Sequence, residues 1–178
     1  RDPDGDGPEP RLRLTLKVSN LEFNRLQATV IQQNLQAVGV ALDVRTYEFA
    51  TLYADVLSGN FQMYTLQWSG GAVSDPDILR QMFHSAQTPP NGYNRGFFSN
   101  PRLDALLDQA SIETNPARRL ELYGEVQQFL ADQVACISVW TKTNFVVAQR
   151  SIRGVHLSPF ADFFFLKDVS RAPLAATN

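Results

Sequence analysis

Reactive and metal-binding side chains are scarce in this sequence of 178 residues: one cysteine, Cys136, and two histidines, His84 and His156. A lone cysteine forms no internal disulfide, and no Cys/His cluster has zinc spacing. Neither histidine stands in HExxH or another ligand spacing, and there is no GxSxG elbow, P-loop or GxGxxG. The usual signatures of zinc hydrolases, serine hydrolases and nucleotide binding are therefore lacking. Charge of one sign is also lacking. Sixteen Lys and Arg against eighteen Asp and Glu leave a net charge of −2 with no basic stripe, so nucleic acid is not an expected partner. No apolar run approaches the roughly 18 residues of a membrane span.

What is present is an ordinary apolar fraction, 44%, which excludes disorder for most of the chain. The length suits one domain burying about two thirds of its unfolded surface. Residues 1–10 are a polar lead-in rich in Pro, Gly and Asp, with neither an initiator Met nor a signal peptide, and read as the start of a piece of something longer. Asp2 to Gly7 matches the first half of a calcium loop, but Arg13 stands where the bidentate Glu belongs, so the segment reads as a solvated turn. No metal or cofactor is expected.

Leu12, Leu14, Leu16 and Val18 alternate with polar residues as one face of a strand. From Glu22 the period becomes helical, with Phe23, Leu26, Val30, Ile31, Leu35 and Val38 as one stripe and Gly39 as the stop. Val40, Leu42 and Val44 form a second strand. A short helix carrying Leu52, Tyr53, Val56 and Leu57 ends at Gly59, and Phe61 to Trp68 reads as a third strand. This alternation predicts an α/β fold, a mostly parallel sheet with helices on both faces. Such sheets bind ligands outside the carboxyl ends of their strands, which directs attention to the loops after Thr46, Trp68 and Trp140.

Asp75-Pro76, Asn100-Pro101 and Asn115-Pro116 each place a capping oxygen before a proline, the start signal of a helix. Ser85 to Ser99 is a long Pro/Asn/Gly loop, either functional or mobile. Cys136 to Trp140 and Asn144 to Ala148 read as further strands. Phe160 and Phe163 to Phe165 form an aromatic cluster that needs a cover. Cys136 reads as a small buried side chain. Gln67 to Gly71 is more specific: a Trp followed by Ser69, Gly70 and Gly71 sets an aromatic face beside exposed backbone N–H groups. Trp68 is either a stacking platform for a ligand or a core residue before a flexible turn.

Taken in order, Asp-Gly-Asp-Gly before a strand, Leu57 to Gln62 leading to Trp68, Asp75-Pro-Asp77, Asn100 to Leu107, and Ala117 to Tyr123 resemble the periplasmic solute-binding proteins for dipeptides, oligopeptides and nickel that feed ATP-driven importers. The likeness runs from about residue 2 to residue 168. It implies the C-terminal lobe of a two-lobed, non-catalytic, periplasmic or otherwise extracytoplasmic receptor that traps solute between lobes. Residues 11–140 would be the ligand-binding lobe. Residues 141–178 would be the hinge crossing and a segment returning to an N-terminal lobe not contained here, which would cover the Phe cluster.

The likeness also implies ligand contacts from Trp68, Ser69, Gly70 and Gly71, with Trp140 and Tyr93 completing the wall. Relatives place an ammonium-clamping aspartate where this chain has Gly71, so a neutral or anionic solute is as compatible as a peptide. The implied partners are the solute, the other lobe and the importer's membrane permease, and the isolated fragment is expected to self-associate through Phe160 to Phe165 or to leave that tail disordered. Two alternatives stand beside this reading: a small α/β hydrolase or transferase using Asp75, His84 and a serine, and the sensor lobe of a signalling receptor.

Overall fold

The computed structural model describes residues 12–68, 75–141, 143–158 and 162–172. The first strand, β1 (Leu12–Ser19), is central in a three-stranded parallel sheet of order β2-β1-β3, with β2 spanning Val40–Tyr47 and β3 Met63–Tyr64. Leu12 pairs with Val40 and the register runs unbroken to Ser19 and Tyr47, while Leu16 and Lys17 pair with Met63 and Tyr64. The α/β expectation holds. The even residues of β1, Leu14, Leu16 and Val18, join Leu42, Val44 and Met63 under helix α1 (Glu22–Gln36). On the other face Lys17, almost wholly buried, reaches helix α2 (Phe49–Leu57): its Nζ lies 2.6 Å from Asp55 and 2.5 Å from the Asn60 carbonyl.

The helix α1 does not use its whole apolar stripe. Ala28, Ile31 and Leu35 face the sheet, whereas Phe23, Leu26, Val30 and Val38 are exposed. Both sets satisfy the 3.6-residue period, so spacing alone does not choose between them. The fully buried contact is made by Ala28, small enough to let the helix lie close to β1 and β2. The third strand is also shorter than expected. The side chain of Gln62 takes the Thr15 N–H at 2.7 Å, occupying a donor that a longer ladder would use, and pairing is confined to two residues. Gly39 and Gly59 follow α1 and α2 with φ of +82° and +73°, as stop signals require.

A second core lies among α3 (Ile78–Phe83), α4 (Pro101–Ile112) and α5 (Pro116–Gln133), built on Phe83, Leu103, Leu107, Val126 and Leu130. Asn100 accepts from the N–H groups of Arg102 and Leu103, and Asn115 from those of Ala117 and Arg118, so two of the three Asx-Pro starts begin helices at the proline. The third is used differently. Asp75 accepts from the Asp77 N–H and from Arg119 Nη2, both at 2.8 Å, and the Tyr123 hydroxyl donates to Asp77 at 3.1 Å, tying the entry of α3 to α5. Burial, reinforced by the Asp77 charge, pushes the Tyr123 hydroxyl up to about 12.

Helix α5 ends on Val134 at φ +48°, a left-handed conformation that a β-branched side chain adopts at a cost of about 1–2 kcal/mol. Val134→Gly is therefore expected to raise stability by about 1 kcal/mol in denaturant unfolding, since the residue is exposed and loses little packing. A further pair of two-residue strands, β4 (Ile152–Arg153) and β5 (Ser170–Arg171), is antiparallel. Gly154, at φ +77°, sits so close to Asp168 that an added Cβ would lie 1.9 Å from its carbonyl oxygen, which makes Gly obligatory at this turn.

Cys136 to Trp140 and Asn144 to Ala148, expected as strands, join neither sheet. Ile137, Val139, Trp140, Phe145, Val146 and Val147 are all exposed, with no neighbouring strand among the described residues to cover either segment. Cys136 is likewise exposed rather than buried. Phe163 and Phe164 are uncovered, 74% and 72% exposed, at the start of a 3-10 turn spanning Phe164–Asp168. Phe160 lies outside the described residues, as do residues 1–11 with the Asp2 to Gly7 loop.

Three carboxylates are held below the usual range by their cationic partners: Asp55 by Lys17, Asp75 by Arg119 and Asp108 by Arg80. A carboxylate with a lowered pKa when folded stabilises the native state above its unfolded pKa of about 3.9 and loses that contribution as pH falls through the folded value. The melting temperature is expected to hold between pH 7 and 5 and to fall below about pH 4. Asp75→Asn or Asp108→Asn should flatten that fall in a differential scanning calorimetry series.

Candidate binding site at the carboxyl edge of the sheet

Trp68 follows β3 beyond the sheet's carboxyl edge, where the α2 helix also begins. The Ser85 to Ser99 loop comes to the same edge. The loop is tied down by Asn94, which is fully buried: its Nδ2 donates to the carbonyls of Phe98 at 2.7 Å and His84 at 3.1 Å, and its Oδ1 accepts from the Phe98 N–H at 3.1 Å. The backbone N–H of Asn94 donates to Gln87 at 2.7 Å. The loop is thus held in place, and the residues flanking Asn94, Tyr93 and Arg95, are delivered to Trp68.

Arg95 is the centre of what they form. Its guanidinium lies 4.5 Å from the Trp68 ring centroid, 4.9 Å from that of Tyr53 on α2 and 5.2 Å from that of Tyr93. Its Nη2 donates to the Tyr53 hydroxyl at 2.8 Å. Trp68 and Tyr93 meet edge to face at 5.8 Å, and Phe49 stacks on Tyr53 at 5.6 Å. Tyr93 is 47% exposed, so the aromatic wall is open to solvent. Burial raises the pKa of Tyr64 on β3, and the Arg95 charge works against that rise. The arrangement is a cation framed by aromatic rings, suited to holding a ligand with apolar surface and hydrogen-bond acceptors.

Of the residues expected at the site, Trp68 and Tyr93 are brought together. Trp140 packs elsewhere, edge to face on Phe23 in the first turn of α1 at 5.3 Å. Ser69, Gly70 and Gly71 lie outside the described residues. Tyr53, Asn94 and Arg95 belong to the cluster and were not singled out from sequence. The one signal for Asn94 and Arg95 is the unusual length of their loop, and Tyr53 on α2 carried none.

The hydrolase alternative does not gain a nucleophile. His84 is buried, with Nδ1 accepting from the Ala86 N–H at 3.0 Å and Nε2 3.3 Å from Asp108, in poor hydrogen-bond geometry. The adjacent Ser85 hydroxyl donates to Asp104 at 2.6 Å, and Asp108 is held by two nitrogens of Arg80. His84 caps a 3-10 turn (Ser85–Gln87), and Asp75 is committed to Arg119. Among the described residues no group of three His, Cys, Asp or Glu side chains could hold a metal ion.

An open parallel sheet, helices on both of its faces and an aromatic, cationic cluster at its carboxyl edge define a lobe of the periplasmic-binding-protein fold. The profile of the family "Bacterial extracellular solute-binding proteins, family 5 Middle" matches residues 2–90, and the chain belongs to that family. Among its relatives, Probable di/tripeptide-binding protein 5 of Pseudomonas aeruginosa is 23% identical over 154 residues, 85% of this chain and 29% of the relative. Heme-binding protein A of Haemophilus influenzae is 27% identical over 164 residues, 92% of this chain and 29% of the relative. The crystal structure of a putative peptide binding protein AppA from Clostridium difficile superimposes with a TM-score of 0.70 at 25% identity, covering 80% of this chain and 29% of that one. The chain thus spans about 29% of the length of these relatives.

Proposed function

We propose that this chain is one lobe of an extracytoplasmic receptor that captures a small solute, a peptide or another polar molecule, for an ATP-driven importer, and that its role is binding rather than catalysis. The observation that carries this is the cluster of Trp68, Tyr93, Tyr53 and Arg95 at the carboxyl edge of the sheet, the position at which open α/β sheets bind ligands, in a chain of this family. Trp68 and Tyr93 contact the solute directly, Ser69 to Gly71 offer backbone N–H groups, and Trp140, packed on Phe23 at the start of α1, adds a separate wall of the cleft outside the Arg95 cluster. Residues 11–140 form the lobe. Residues 141–178 cross towards the remainder of the protein, which covers Phe145, Val147, Phe163 and Phe164. The importer's membrane permease is the downstream partner.

Two observations favour an incomplete site: a solvent-open aromatic wall, and uncovered apolar side chains along the C-terminal segment. Without the second lobe the solute is contacted on one side and remains hydrated on the other. A solute screen by native mass spectrometry and thermal shift on the full-length protein is expected to return one chemical class of ligand. Absence of any ligand from a panel of peptides, chelates, opines and sugars would contradict the receptor reading. Light scattering on the 178-residue chain alone is expected to reveal self-association through the exposed Phe163 and Phe164 region; a clean monomer would remove that part of the account.

A further inference from the structure

We infer that Arg95 is the charge-reading element of this site, an oxyanion receptor that binds a carboxylate carried by the solute. The inference rests on the receptor reading above and narrows it to a ligand class. Arg45, Arg80, Arg118 and Arg119 each hold a carboxylate of the chain, at 2.8 to 2.9 Å. Arg95, hemmed in by three rings, pairs with no acid among the described residues. Of its five N–H donors, one Nη2 bond is made, to Tyr53, and Nε is buried with no acceptor. A partly desolvated cation with unspent donors is costly unless an anion completes it.

Geometry says where that anion enters. Trp68, Tyr53 and Tyr93 are arrayed around the guanidinium, and rings in such stacks cover its faces while its N–H edge remains the hydrogen-bonding side. A planar carboxylate meets that edge in the fork geometry of charge-assisted bonds. The aromatic rings then lie beside whatever apolar group adjoins the carboxylate. No ammonium is demanded: the acids of the following segment, Asp75 and Asp77, are engaged by Arg119 and Tyr123. The expected solute is a carboxylic acid with apolar or aromatic surface next to the acid, and its amine is free to be blocked.

The test uses the full-length protein and isothermal titration calorimetry with short peptides and aromatic monocarboxylic acids, each paired with its primary amide, and with N-acetylated forms of the peptides. The acids are expected to bind at least tenfold more tightly than their amides, and N-acetylation to change affinity by less than threefold. Arg95→Gln should weaken the acids at least tenfold more than the amides, bringing the two to one level, and Arg95→Lys should keep part of the preference. A merely structural arginine would weaken acids and amides together in Arg95→Gln, which would overturn the inference, as would equal affinity of acid and amide in the parent protein. If no probe binds in either form, the receptor reading fails and this inference with it. Binding without a preference for acids overturns the inference alone.

Discussion

Asn94→Ala is expected to destabilise the protein by about 3–5 kcal/mol, a large part of the 5–15 kcal/mol typical of a domain. The side chain is fully buried and makes three well-formed hydrogen bonds with backbone groups of His84 and Phe98. Each is worth about 1 kcal/mol when made, and a buried carbonyl or N–H left without a partner costs about 1–3 kcal/mol. Alanine removes the donor and the acceptor at once and leaves the surrounding backbone unsatisfied. Asn94→Asp is expected to be no better, because the lost amide donors are replaced by a carboxylate facing two carbonyl oxygens. Urea unfolding monitored by circular dichroism reads the loss. A change below 1 kcal/mol would mean that the loop is held by something other than Asn94.

The same substitution should reach the site. Tyr93 and Arg95 flank Asn94 in the chain, and Arg95 bridges to Tyr53 across forty-two positions of sequence. Release of the loop therefore separates Arg95 from Trp68, and the indole emission of Trp68 should move towards that of a solvated ring.

Trp68→Ala in the full-length protein is the second large effect. It is expected to weaken solute binding by at least tenfold, with a stability cost of about 1–2 kcal/mol. The indole supplies an edge-to-face contact with Tyr93 and one wall of the Arg95 stack. Such contacts contribute about 0.5–1.5 kcal/mol for the ring pair and about 0.5–2 kcal/mol for the cation. Trp68→Phe should recover part of the affinity because it keeps an aromatic face beside Arg95. If Trp68→Ala costs stability and leaves affinity intact, Trp68 is a packing residue and the solute lies elsewhere.

How far the sequence led follows from the range over which each feature is determined. The strands β1 and β2 and the starts of α4 and α5 are written locally, in alternation and in Asn-Pro caps, and they formed as read. Gly39 and Gly59 likewise carry their own conformational reason. The choice of face on α1 was not legible, because Phe23, Leu26 and Val30 match the helical period as well as Ile31 and Leu35 do, and only the sheet decides between them. The strands expected at Cys136 to Trp140 and Asn144 to Ala148 failed for a related reason: an apolar, β-branched run is a property of the segment, but a ladder needs a neighbour.

The candidate site was half legible. Trp68 before Gly-Gly and Tyr93 in a long loop stood out by residue type. Arg95 and Asn94 did not, since their meaning depends on partners such as Tyr53 and His84 that the fold brings to them. The pair Asp75 and Asp77 shows the converse: acids next to a candidate binding loop, spent instead on holding α3 to α5.

The central claim is that this chain holds one side of a site that needs another. The most direct test is calorimetry of one solute, identified on the full-length protein, against both the full-length protein and the 178-residue chain. The account predicts tight binding by the former and at least a hundredfold weaker binding by the latter. Sub-micromolar affinity in the isolated chain would contradict it.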